Sequence, residues 1–438
     1  MASVRERLEQ YFEFQALGTN WRTEILAGVT TFVTMAYIVF VNPSILREAG
    51  MPATAVVAAT CLSAAIASLL MGVLARYPIA LAPGMGLNAY FTYSVVKGMG
   101  VPWQTALGAV FLSGVAFLLL TAAGIRQLIV SAVPAELYSA VAAGIGLFIA
   151  FIGLRNAGLV VSSPATSLTI GNLRSPNTLL AIFGLLLISA LFAWRVRGAM
   201  LIGISATTLL GAALGLVPLA WQGYSFADIT ATAFQLDVRG ALRIGVLDIV
   251  FVFLFVDLFD NLGTLLAVSK KARLIGPDNV IPRLNRILLT DAIATTVGSL
   301  AGTSTVVSYV ESAAGVVAGG RTGVTSIVVG LLFLLALFVA PLAGAIPAAA
   351  TAPALIIVGS LMVSHVREID WDDSSVAIPS FLTLMMIPMS FSIANGLAFG
   401  FIAYTLLRVL RGEWSKVNWL MYVLTALFVF RFVYLAAH

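Results

Sequence analysis

Asp257 and Asp260 stand inside the run IVFVFLFVDLFDNLGTLLAV, and Glu311 stands in TSTVVSYVESAAG between two hydrophobic stretches. An ionisable side chain in lipid costs about 2.5 to 3.5 kcal/mol on insertion scales, so a chain that keeps three such acids at membrane depth is using them. The three-residue spacing puts Asp257 and Asp260 on one helical face, about one turn apart, with Asn261 and Thr264 extending the same polar stripe. Two acids this close repel when both are ionised, which favours one of them carrying a proton that can travel with a solute. The plainer alternative is that one of the pair caps or orients a broken helix.

Glu311 follows Ser304, Thr305, Ser308 and Tyr309 and precedes Gly315, a context in which a short helix can begin with free N–H groups. A carboxylate there suits a neutral, N–H-rich ligand better than an anion; the competing role is a glutamate that caps the broken backbone. In the segment YPIALAPGMGLNAYFTYSVVK, Gly84 and Gly86 allow a ligand or a neighbouring helix to approach the backbone, and Asn88 offers both a donor and an acceptor. Tyr90, Phe91, Phe255 and Phe259 are flat surfaces on which a ring could stack, although aromatic residues on such helices more often pack or face lipid. Cys61 is the single cysteine and lies in an apolar span, so it forms no internal disulfide and reads as a small packing residue. With only His365 and His438 and no paired thiols, no metal site and no cofactor is expected.

These residues need a scaffold, and composition says which kind. Of 438 residues 60% are hydrophobic and 10% charged, with mean hydropathy +1.03, whereas soluble domains carry about 25% charged residues. The chain is expected to be an all-α polytopic membrane protein. Apolar runs of spanning length fall at 25–46, 53–74, 103–123, 135–158, 178–195 and 199–217, then at 246–268, 286–302, 323–342, 350–364, 375–391, 394–411 and 416–436. Residues 77–97 and 302–320 read instead as interrupted spans, each a short extended piece followed by a half helix. Broken helices at membrane depth are tolerated only beside buried protein or a wet cavity, and two of them at matching places in two halves point to an inverted repeat with its site at the interface. That gives seven plus seven spans, with 416–436 left over as an added crossing or an interfacial segment. The first span is expected to break late, at Asn42-Pro43. The positive-inside bias, carried by residues such as Arg76, Lys270, Arg321 and Arg408, places the N-terminus in the cytoplasm. The net charge of +5 is explained by those loops and calls for no nucleic acid.

With these residues in place the chain becomes recognisable. FEFQALGTNWRTEILAGVTTFVTMAYIVFVNPSIL, LAPGMGLNAYFTYSVV, FVDLFDNLGTLLAV and GTSTVVSYVESAAGVVAGGRTGVTSIVVG resemble the adenine/guanine/hypoxanthine permeases, the AzgA-like branch of the nucleobase/cation symporter family that includes xanthine and uracil permeases. The resemblance runs from about residue 11 to 411. It implies about fourteen transmembrane segments in two inverted seven-span repeats, divided into a core domain and a gate domain. The corresponding boundaries are an N-terminal interfacial helix at 1–24, a first repeat at 25–217, an extracytoplasmic linker at 218–245, a second repeat at 246–411 and a C-terminal hydrophobic segment at 412–438. The core would comprise about 25–123 plus 246–342, and the gate about 135–217 plus 350–438.

The same resemblance implies purine import by proton symport, with an elevator-like movement of the core, in the plasma membrane and commonly as a homodimer. H⁺ is the expected coupling ion, with Na⁺ not excluded. Carried over by residue, Asn88, Asp257 and Glu311 recognise the purine, Asp260 helps in coupling, and the backbone around Gly84–Gly86 and Ser304–Ser308, including Gly86, Thr305 and Ser308, completes the pocket. The Asn261-Leu262 pair after the second acid departs from the usual small pair and adds an amide near the site. Three other readings stand beside this one. An anion transporter or channel of the same architecture would favour helix N-termini and a basic residue over acids. An intramembrane aspartyl enzyme would draw its dyad from separate elements, and a receptor or scaffold needs no acids beside broken helices. The protein is not expected to be an enzyme.

Overall fold

The computed structural model describes residues 3–124, 132–217, 226–271, 274, 281–339 and 345–435; the first eight residues of the expected 218–245 linker lie outside them. Among the described residues seven helices are long and apolar enough to cross a membrane, and four shorter apolar helices accompany them. The protein is a mostly helical, multi-pass membrane protein.

The first span is two helices, Trp21–Met35 and Ile38–Leu46, with the break at Ala36-Tyr37 and not at Asn42-Pro43. Pro43 sits inside the second helix, where the buried Asn42 side chain bonds to neighbouring segments in place of a regular ladder. The displaced break matters because it frees Tyr37 to reach across to the other half of the chain.

Both interrupted segments have the expected form. Strand β1, Leu81–Pro83, leads into helix Met85–Ala89, which continues as a wider helical turn through Gly98; strand β4, Val306–Ser308, leads into helix Ser312–Val317. The two strands pair antiparallel with Leu81 opposite Ser308 and Pro83 opposite Val306, and the Gly84 N–H to Thr305 carbonyl and Tyr309 N–H to Ala80 carbonyl bonds extend the ladder at both ends. Antiparallel strands each followed by a helix point those helices in opposite directions, away from one shared centre.

Lipid cannot satisfy the backbone of such extended pieces, and serines from neighbouring helices do so instead. Ser326 Oγ donates to the carbonyls of Tyr77 and Ile79 at 2.7 and 2.9 Å, Ser312 Oγ accepts the Ala80 N–H, and Ser68 Oγ both accepts from and donates to Leu81.

A second, unforeseen sheet pairs Val160–Ser163 (β2) with Ser167–Ile170 (β3) in an exposed hairpin between helices Ala135–Asn156 and Pro176–Ala193. Helix Ala135–Asn156 lies against Ala348–Val363 at a glycine contact so close that a Cβ on Gly359 would stand 2.4 Å from the Gly146 carbonyl. The final segment also finds its place. Helix Trp419–Phe430 starts beside the Asp373, Arg408, Arg411 and Glu413 ion pairs at one end of helix Ile393–Leu410, and Arg431 reaches Asn395 at its other end. It therefore runs back along the whole of that helix and does not lie flat at its edge.

Candidate functional site

The candidate site centres on the β1–β4 pair, whose two following helices, Met85–Ala89 and Ser312–Val317, leave in opposite directions and both pack on the long helix Ile244–Lys271. Glu311 immediately precedes helix Ser312–Val317, yet its side chain makes no capping bond there. Its carboxylate instead accepts the Tyr37 hydroxyl at 2.5 Å. The capping alternative is thus set aside, and the Ala36-Tyr37 break acquires a purpose. Tyr309 donates its hydroxyl to the Pro83 carbonyl, binding the two broken segments together beside that carboxylate.

Asn88 is buried, and its amide nitrogen donates to Asn42 Oδ1 at 2.6 Å. Asn42 in turn donates to the hydroxyls of Thr60 and Thr303. This chain fixes the Asn88 plane and leaves its carbonyl oxygen without a partner. The hydroxyls of Ser304, Thr305 and Ser308 are likewise buried without hydrogen-bond partners. Buried polar atoms in native proteins are nearly always bonded, so these four atoms give the two broken segments hydrogen-bonding capacity to spare.

Gly84 and Gly86 have distinct reasons to lack side chains. A Cβ on Gly84 would meet Val307 at 2.8 Å and approach an Asp260 carboxylate oxygen to 3.7 Å, so Gly84 lets β4 and Asp260 come close. A Cβ on Gly86 would strike Ile145 of helix Ala135–Asn156 at 2.6 Å, so this glycine lets the two helices pack closely.

The two aspartates divide. Asp257 is 2% exposed, with one carboxylate oxygen accepting from the Asn261 amide at 2.7 Å and the other from the Thr295 hydroxyl at 3.3 Å. Asn261 uses its remaining valences on Asp291 at 2.6 Å and, through its carbonyl, on the Ser308 backbone N–H at 2.8 Å. Thr295 also donates to the Val306 carbonyl. Asp257 therefore belongs to a bonded network that locks β4 onto helices Ile244–Lys271 and Leu284–Ala301, whereas Asp260 and Glu311 are half-buried and Val310 beside them is half exposed.

Asp291 is a fourth acid in an apolar span that the sequence reading passed over, and it is fully buried. The signal that exposed Asp257 was present in LLTDAIATTVGS as well. Tyr37 carried no such signal, since a tyrosine in an apolar run reads as packing. Among the described residues no group of His, Cys, Asp and Glu side chains could hold a metal ion. The site is rich in acceptors and hydroxyls.

The sequence pattern of the Permease family (xanthine/uracil permeases) matches residues 22–399. Adenine permease AdeP of Escherichia coli is 43% identical over 98% of this chain and 97% of its own length. Guanine/hypoxanthine permease PbuG of Bacillus subtilis is 44% identical over 98% of this chain and 100% of its own. Among solved structures, the transmembrane domain of a cyanobacterial bicarbonate transporter, BicA, superposes with a TM-score of 0.64 at 18% identity, covering 87% of this chain and 97% of that one, which is a likeness of fold. A family pattern spanning most of the sequence, together with relatives matched over nearly their full length, establishes that the chain belongs to the xanthine/uracil Permease family.

Proposed function

We propose that the protein imports purine nucleobases, hypoxanthine, guanine or adenine, by proton symport. The observation that carries this reading is the set of unpartnered buried polar atoms on the two broken segments, Asn88 Oδ1 on the first and the hydroxyls of Ser304, Thr305 and Ser308 on the second, which also carries the half-buried Glu311. A neutral purine presents ring and exocyclic N–H donors together with acceptor nitrogens, which complements such a set. An anion would meet two acids there. The names of the relatives AdeP and PbuG support the same substrate class.

In this mechanism Glu311 accepts hydrogen bonds from the purine, Asn88 orients the ring, and the hydroxyls of Thr305 and Ser308 complete its contacts. Asp257, held by Asn261 and Thr295, fixes the shape of that wall. Asp260 carries the proton: when protonated together with solute binding, it lowers the charge that must cross the barrier. The two halves act as inverted seven-span repeats. A core, about 25–123 plus 246–342, slides as an elevator against a gate, about 135–217 plus 350–438, with the N-terminus in the cytoplasm of a plasma-membrane homodimer.

The test is uptake of labelled hypoxanthine, guanine and adenine into proteoliposomes with and without an inward pH gradient. Accumulation driven by that gradient is the expected result; purine-independent uptake of sulfate or bicarbonate decides for the anion reading.

A further inference from the structure

Away from the central site, the helical stretch that carries Asn88 ends in a charged cleft. Glu48, Tyr93, Lys97, Ile152, Arg155 and Asn156 line a cavity of about 190 Å³ between the segment Tyr90–Gly98 and helix Ala135–Asn156. That volume is several times the roughly 30 Å³ share of one water molecule. Tyr93 lies five residues beyond Asn88 on the same continuous helical path, so the cleft opens little more than one turn from the site.

Its walls are already arranged for a flat solute. Arg155 stacks over the Phe391 ring at 5.6 Å, and Lys97 over the Tyr93 ring at 5.5 Å. Lys97 is neutralised by Glu48, whereas Arg155 has no carboxylate partner among the described ion pairs and keeps its guanidinium donors exposed. The Asn156 amide donates to the Tyr93 hydroxyl at 3.4 Å, a long bond that a better acceptor would displace.

Behind Arg155 lies a fastened turn. Phe391 has φ +51°, a left-handed conformation that is strained for a bulky residue, and its carbonyl accepts the Ser94 hydroxyl of the segment that bears Asn88. Phe148 and Phe151 pack on its ring at 5.7 and 5.4 Å. Four residues on, Asn395 is tied through Arg431 to Asp248 of the aspartate helix.

We propose that this cleft is a vestibule site for the purine, occupied before the solute passes the Phe391 turn to Glu311 and Asn88; the proposal rests on the purine reading above. A planar guanidinium fork and a carboxamide side by side match the acceptor and donor edge of a purine, as arginine pairs with guanine O6 and N7 and asparagine with adenine N6 and N7. The Ser94 bond keeps the turn shut until that solute arrives.

The test uses initial-rate uptake of labelled hypoxanthine by cells producing the full chain, alongside equilibrium binding of hypoxanthine to the purified protein. Arg155→Gln and Asn156→Ala are expected to raise the uptake KM about three- to tenfold with Vmax and equilibrium Kd unchanged, and Arg155→Lys, which keeps charge but loses the fork, is expected to rescue little. An unchanged KM in both variants overturns the vestibule site, as does a KM and Kd that rise together with a falling Vmax, which is the mark of a merely structural disturbance. If the wild type takes up no purine at all, the substrate reading itself fails and this site falls with it.

Discussion

Two walls enclose the candidate site, and they are built on opposite principles. The wall formed by helices Ile244–Lys271 and Leu284–Ala301 is the densely bonded one: Asp257, Asn261, Asp291, Thr295 and the backbone of β4 bond to one another. The wall formed by the broken segments is left open, with Glu311 holding a single side-chain partner and four buried polar atoms holding none. A saturated polar network in a low-dielectric interior gives rigidity, and an unsaturated one gives affinity for whatever completes it. Acids that look alike in the sequence therefore do different work.

The largest expected effect tests the open wall. Glu311→Gln keeps the size of the side chain and removes its charge, so it should reduce purine uptake by about 10- to 100-fold, the loss of one charge-assisted hydrogen bond at about 1.5 to 3 kcal/mol, with the melting temperature nearly unchanged. Loss of folded protein with uptake per molecule retained would move Glu311 to the densely bonded wall.

The reverse pattern is expected at Asp257. Replacing it with Ala removes the bonds accepted from the Asn261 amide and the Thr295 hydroxyl, at about 0.5 to 1.5 kcal/mol per bond, and loosens the hold on β4, so thermal stability and purine binding should fall together. Binding lost at full stability would put Asp257 in direct contact with the solute and erase the distinction.

Packing around the broken helices gives a third test. A Cβ on Gly315 would stand 2.1 Å from Thr31 Oγ1 and 2.6 Å from the Ala27 carbonyl, so Gly315→Ala should cost about 1 to 3 kcal/mol by forcing helix Ser312–Val317 away from Trp21–Met35. Because Tyr37 follows that helix, the same change should weaken binding; normal binding at reduced stability would show that the Tyr37 to Glu311 bond is not what aligns the carboxylate.

The smallest effect lies outside the bilayer. Bonds from the Ser375 hydroxyl and N–H, then from Arg411 and Arg408, hold the Asp373 carboxyl down at about 2. A carboxyl lowered on folding contributes stability above its unfolded value near 4 and loses it as pH falls toward 2, so Asp373→Asn should leave the pH dependence of transport between 5 and 8 untouched and cost under about 1 kcal/mol. A shifted transport profile would implicate this cluster in coupling.

Much of this was legible because lipid leaves so few solutions. Apolar runs reveal spans, and Pro83-Gly84 with its serine-rich counterpart around 304–308 reveals backbone that must be satisfied by neighbours. Partnership is what a linear pattern does not carry. Asp257 and Asp260 share a helix face by spacing, yet Asn261, the residue noted as a departure, is the one that takes Asp257 out of the open wall. The sequence pattern points to Asn42-Pro43, where proline lacks an N–H, whereas the span breaks at Ala36-Tyr37, and the bond from Tyr37 to Glu311 draws on a site 274 residues away. The hairpin Val160–Ile170 was hidden for a related reason: its alternating pattern is short and sits between two long apolar runs that dominate any window.

The most direct measurement is an experimental structure of the protein with bound hypoxanthine. The ring is expected against the β1–β4 pair, on the side that faces helix Ile244–Lys271, within hydrogen-bond distance of the Glu311 carboxylate or the Asn88 carbonyl, with Asp257 still bonded to Asn261 and Thr295. A purine bound elsewhere, with Glu311 still engaged only by Tyr37 and the hydroxyls of Ser304, Thr305 and Ser308 still unpartnered, would contradict the account.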